Sequence, residues 1–96
     1  MREYEVTYIL DPALPDEEIS GLMARFVELA KSGGAQVNDP ERWDRRRLAY
    51  PIKDKREGIY VFMTLKAEKE AVAELVRVLK LTEPVLRHMV LRLGED

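Results

Sequence analysis

Tyr4, Val6, Tyr8 and Leu10 alternate with Glu5, Thr7 and Ile9, a period of two that predicts a first strand, β1, with one buried face. The run Asp11-Pro12-Ala13-Leu14-Pro15 ends it, and Pro15 followed by Asp16, Glu17 and Glu18 gives the acid-rich first turn that a helix dipole favours. Ile19, Leu22, Met23, Phe26, Leu29 and Ala30 recur at helical spacing and read as one core-facing stripe, closed by Gly33-Gly34. From Ala35 the chain is extended again with Val37 inward, but Asn38-Asp39-Pro40 interrupts it before Trp43 and the stretch Arg45-Arg46-Arg47-Leu48-Ala49-Tyr50-Pro51-Ile52. Either one long bent strand or two short collinear strands fits this region. Lys53 to Gly58 is polar and ends in glycine, as a hairpin connection should. Ile59 to Ala67 is apolar at nearly every position, which marks a central strand with both faces covered or at least apolar. Helical spacing returns between Glu68 and Lys80 through Ala71, Val72, Leu75, Val76 and Leu79, and Pro84 separates this helix from a last strand, Val85 to Leu93.

The predicted order is βαββαβ, an α+β chain with a four-stranded antiparallel sheet and two helices on one face. This is the ferredoxin-like arrangement, whose usual pairing puts the first and third strands in the centre and the second and fourth at the edges. Arginines and Pro51 in the second strand fit an edge, since arginines discourage accidental pairing and proline has no N–H to give a ladder. Within that strand Leu48, Tyr50 and Ile52 are expected to face the core, Arg47 and Ala49 to face away, and Arg46 to lie in line with the buried row.

With 96 residues the chain has the size of one domain, and residues 1–96 are expected to form a single unit. Cysteine is absent, which removes disulfides, thiolate zinc sites and thiol catalysis and fits a reducing compartment. No apolar run approaches the roughly 18 residues of a spanning helix, and the start Met1-Arg2-Glu3-Tyr4-Glu5 is not a signal peptide. A soluble, unprocessed, cytoplasmic chain with no membrane partner is expected. Net charge is −2, yet the stretch from Arg42 to Arg56 carries +5 and the remainder −7. Such asymmetry can focus contact with phosphate or an acidic protein onto one patch, although a merely solvated face has the same signature.

Candidate chemistry is sparse. His88 is the only histidine, on the side of the last strand that faces the helices, and without cysteine or a second histidine it reads as a packed, hydrogen-bonded core residue rather than a metal ligand. Glu3, Glu5, Asp16, Glu17 and Glu18 share no evident cleft and read as solvated or capping. The loop after β1 has two prolines, no glycine and a negative charge, the reverse of a phosphate cradle. No catalytic residue, metal, cofactor or small-molecule substrate is therefore assigned. On the open sheet face Tyr60 and Phe62 point away from the helices, near Ile9, Met89 and Leu91. They are either stacking platforms for single-stranded RNA or an apolar surface covered by a partner protein.

The run Arg46-Arg47-Leu48-Ala49-Tyr50-Pro51-Ile52-Lys53, followed by Arg56-Glu57-Gly58, resembles the signature of the bacterial small ribosomal subunit protein six family. The resemblance extends from Tyr4-Glu5-Val6 to Pro84-Val85-Leu86-Arg87-His88-Met89-Val90, with Asp44 standing where the family usually has glycine. It implies a non-enzymatic constituent of the ribosome that binds the neighbouring small-subunit protein eighteen and docks with it on the central domain of 16S ribosomal RNA. By that resemblance Glu41, Arg42, Arg46 and Arg47 are assigned to the protein partner, and Arg2, Arg45, Lys53, Lys55, Arg56 and Arg87 to RNA. The isolated chain is expected to be monomeric. The alternatives are a free-standing single-stranded RNA binder using Tyr60 and Phe62, and a small-molecule-sensing domain of the same fold.

Overall fold

The computed structural model describes residues 1–94, except for the side chains of residues 39–42. In chain order the elements are β1 (Arg2–Leu10), α1 (Asp16–Ser32), β2 (Gln36–Ile52), β3 (Lys55–Ala67), α2 (Lys69–Leu81) and β4 (Val85–Leu93). The strands make one antiparallel sheet in the order β2-β3-β1-β4, so β3 and β1 are central and β2 and β4 are edges, as expected. Alternation along the central strands sends Tyr4, Val6, Tyr8 and Leu10 of β1 and Ile59, Val61, Met63 and Leu65 of β3 to one side. There they pack with Ile19, Phe26 and Ala30 of α1 and Val72, Leu75 and Leu79 of α2. The Tyr8 and Phe26 rings meet edge to face at 5.1 Å, an arrangement that the aromatic quadrupoles favour.

The helix ends follow from local chemistry. Pro15 O accepts from the amides of Glu18 and Ile19 at the start of α1. At its end Gly34 adopts φ 93°, which lets the Gly34 and Ala35 amides turn back onto Lys31 O and Ala30 O at 2.9 and 3.0 Å. This is the Schellman pairing, and the positive φ is what selects glycine there.

β2 is one long strand, and its ladder with β3 is irregular between Asn38 and Arg42 and again between Arg47 and Ile52. Each irregularity contains a proline, Pro40 or Pro51, which has no hydrogen to donate. The hairpin connection is tighter than the sequence implies. Ile52 pairs with Lys55, and the two residues between them, Lys53 and Asp54, have φ of 49° and 67°. Positive φ at both central positions matches the twist of the flanking strands, and it costs more for lysine than for glycine or asparagine. Gly58 is therefore not part of the turn. It lies inside β3, opposite Arg46.

That glycine faces the side of the sheet away from the helices. A Cβ at Gly58 would stand 2.3 Å from Ile9 Cγ2 and 3.4 Å from Leu48 Cδ2, because the two side chains close over it from β1 and β2. Ile9 and Leu48 are buried, yet neither belongs to the cluster under the helices. The expected orientation of the β2 alternation is corrected accordingly. Leu48 is buried on the open face, Tyr50 is 57% exposed, and Ile52 is half-buried. His88 needs a similar correction. It does face the helix side, opposite Tyr8, but it is only half-buried and its same-side neighbour Val90 is exposed, because β4 is an edge.

Gly58→Ala should lower the unfolding free energy by about 1–3 kcal/mol, since Cγ2 of a β-branched residue cannot swing aside. Denaturant titration measures this, and the cost should shrink when Ile9→Ala is added, a coupling that an unrelated effect would not produce. Replacing Lys53-Asp54 by Asn-Gly should instead raise stability by about 1 kcal/mol by relieving the turn.

Candidate functional site

The three successive arginines of β2 divide between the two faces of the sheet. Arg45 and Arg47 pair across the ladder with Ile59 and Glu57, on the helix side, whereas Arg46 pairs with Gly58 on the open side. Arg46 lays its guanidinium over the rings of Tyr60 and Phe62, 5.2 and 5.1 Å from their centroids. The two rings are stacked on each other at 6.4 Å and 28°. Asp44 Oδ2 lies 3.4 Å from Arg46 and holds it from the same face of the strand. Asp44 sits in an ordinary ladder position opposite Tyr60, without positive φ, so the aspartate needs no special backbone. Arg45 donates to Pro12 O at 3.1 Å and comes to 4.0 Å from Glu57. Among the described residues the guanidinium of Arg47 has no charged or hydrogen-bonding partner.

A second group of cations gathers at the hairpin end of the sheet. Lys53 is exposed at the turn, Arg56 is exposed one residue before Glu57, and Lys55 Nζ lies 3.6 Å from Asp11 at the end of β1. Arg87, on the open face of β4 opposite Ile9, donates to the hydroxyl of Tyr50. That contact spans β3 and β1, since these strands lie between β2 and β4. Half-exposed pairs of this kind contribute at most about 1 kcal/mol, so they orient the cations without neutralising them for other partners.

Of the residues singled out from the sequence, Arg45, Lys53, Lys55, Arg56 and Arg87 thus come to one end of the molecule, next to Arg46 and Arg47. Arg2 does not join them. It stands at the opposite end of β1, opposite Ala67, roughly 25 Å away at the usual rise per strand residue. The side chains of Glu41 and Arg42 lie outside the described residues. The sequence pattern missed Tyr50, which it grouped with the core row. Tyr50 instead lines a shallow depression with Arg47, Leu48, Ala49, Pro51 and Arg56. The available signal was Pro51, since a proline beside it breaks the alternation that would have buried the ring.

The rest of the open face carries Met89 and Leu91, 46% and 57% exposed, while Tyr60 and Phe62 are half-buried under Arg46. A base stacking on those two rings would have to displace the guanidinium. Among the described residues no helix is long and apolar enough to cross a membrane, and no group of three potential metal ligands occurs.

Residues 3–92 match the family model described as Ribosomal protein S6. The small ribosomal subunit protein bS6 of Desulforamulus reducens is 46% identical over 95 residues, covering 99% of this chain and 100% of that one. Its counterpart in Streptomyces coelicolor is 48% identical over 92 residues, 96% of each chain. The crystal structure of the 30S ribosomal protein S6 from Thermotoga maritima has a TM-score of 0.88 at 26% identity, over 96% of this chain and 87% of that one. The C-terminal domain of the MgtC protein from Mycobacterium tuberculosis shares the fold alone, with a TM-score of 0.64 at 14% identity. The matching S6 relatives are ribosomal proteins and not enzymes. With nearly all of its length accounted for in this way, the chain belongs to the Ribosomal protein S6 family, bacterial components of the small subunit of the cytoplasmic ribosome.

Proposed function

We propose that the 96 residues form one structural domain that joins small-subunit protein eighteen to the central domain of 16S ribosomal RNA. The observation that carries this reading is the run of exposed arginines along the edge strand β2, Arg45 and Arg47 on the helix side and Arg46 on the open face, continued by the cations of the hairpin end. One edge strand can then serve two partners at once. Arginine suits both, because its planar fork gives two parallel donors to a carboxylate or a phosphate. In this reading Arg46 and Arg47, with Glu41 and Arg42 beside them in sequence, take the protein. Arg45, Lys53, Lys55, Arg56 and Arg87 take RNA at the hairpin end, and Arg2 makes a separate contact at the far end of β1.

Electrostatics favours joint over solitary binding. With a net charge of −2 the chain as a whole does not attract a polyanion, so the partner protein supplies much of the positive charge. The acidic remainder of the chain repels phosphate and keeps contact to the cationic end.

Arg46→Ala and Arg47→Ala should each weaken capture of protein eighteen by about 1–2 kcal/mol, roughly five- to thirty-fold, as truncated interface arginines do. Unfolding free energy should fall by less than about 1 kcal/mol in either variant. Calorimetric titration with that protein, paired with denaturant unfolding, checks both numbers. Equal affinity for wild type and both variants would refute the assignment of β2 to the protein partner.

A further inference from the structure

We propose that Tyr50 is a stacking platform for one unpaired RNA base, in the depression it shares with Arg47 and Arg56 at the hairpin end. This rests on the reading of the chain as an RNA-binding protein and specifies what part of the RNA the site takes. Tyr50 is the one aromatic side chain among the described residues that is mostly exposed, at 57%. Tyr4, Tyr8 and Phe26 are buried, and Trp43, Tyr60 and Phe62 are half-buried. Its hydroxyl accepts from Arg87, which fixes the ring from its polar end, and more than half of the residue stays exposed.

Aromatic and cation are then arranged as a nucleotide requires. Pro51 follows the ring in sequence, and Arg47 and Arg56, neither of whose guanidinium groups has a partner among the described residues, line the same depression. A base laid on Tyr50 would have the guanidinium of Arg56, one of the cations assigned to RNA, beside it for a phosphate. Paired RNA cannot use such a site, because its bases are already stacked in the helix, so the geometry selects a bulge, loop or strand end. The alternative platform on this molecule, Tyr60 with Phe62, is occupied by Arg46.

NMR titration of the chain at low salt, with an unpaired ten-nucleotide RNA and with the duplex of the same sequence, tests this. The ring signals of Tyr50 should shift with the single strand and not with the duplex. Tyr50→Leu should weaken single-strand binding roughly five- to hundred-fold, without changing the slope of affinity against salt, because no phosphate contact is lost. Tyr50→Phe should rescue most of that loss, since it keeps the ring and removes only the hydroxyl that meets Arg87. Equal loss in Tyr50→Leu and Tyr50→Phe would overturn the proposal in favour of a latch that merely holds Arg87. Shifts confined to Tyr60 and Phe62, or equal response to duplex, would also overturn it. Failure of the chain and protein eighteen to hold 16S ribosomal RNA, with Tyr50 still responding to the oligonucleotide, would refute the proposed function alone. Binding of no RNA at all would refute both.

Discussion

A missing side chain in the third strand sets the geometry of the whole hairpin end. Because Gly58 leaves room, Ile9 and Leu48 meet over the sheet from β1 and β2, and a small apolar cap forms on the face that has no helices. Burying a leucine in this way stabilises by about 1.5–3 kcal/mol, enough to hold an edge strand whose ladder is broken at Pro51. With Leu48 seated, Tyr50 falls where its hydroxyl meets Arg87 from the opposite edge of the sheet. Cations from β2, β3 and β4 are thereby collected at one end, although they are far apart in sequence.

The two edges of the sheet are treated differently. β2 carries arginines on both faces and two prolines, all of which obstruct the addition of another strand. β4 instead exposes Met89, Val90 and Leu91 in succession, with Arg87 and Arg92 flanking them. A charged edge that still offers directional donors is compatible with a selective partner, whereas it penalises indiscriminate pairing. The guanidinium of Arg46 serves both purposes, covering two aromatic rings while remaining half-exposed.

Much of this fold was legible in the sequence because periodicity reports directly on burial. The stripe from Ile19 to Ala30 and the continuous apolar run of β3 required only that one face, or both, be covered. Alternation in β2 correctly put Arg46 and Leu48 on one side and Arg47 on the other, but a period of two does not say which side holds the helices. Register decides that, and register here hangs on Arg46 standing opposite Gly58. The turn was misplaced for a related reason. Gly58 closes the polar run and looks like its turn residue, whereas Lys53 does not, and glycine's lack of a side chain is used for close approach rather than for a bend. Of the site, the cationic stretch was visible because it is contiguous, while the meeting of Tyr50 with Arg87 joins residues that only the sheet order brings together.

The turn itself shows how charge and stability compete at this end of the molecule. Two residues with positive φ would be served better by Asn-Gly, and the chain keeps lysine and aspartate there instead. Such local strain persists only where surrounding structure over-determines it, and here the strands on either side and the Lys55–Asp11 pair do so. In the proposed role the exchange is favourable. A molecule with −7 outside the stretch from Arg42 to Arg56 has little cation to spare, so a lysine at the tip extends the positive field outward. A neutral turn would add stability to a sheet that is already held by its core and would subtract from the one region able to approach a polyanion.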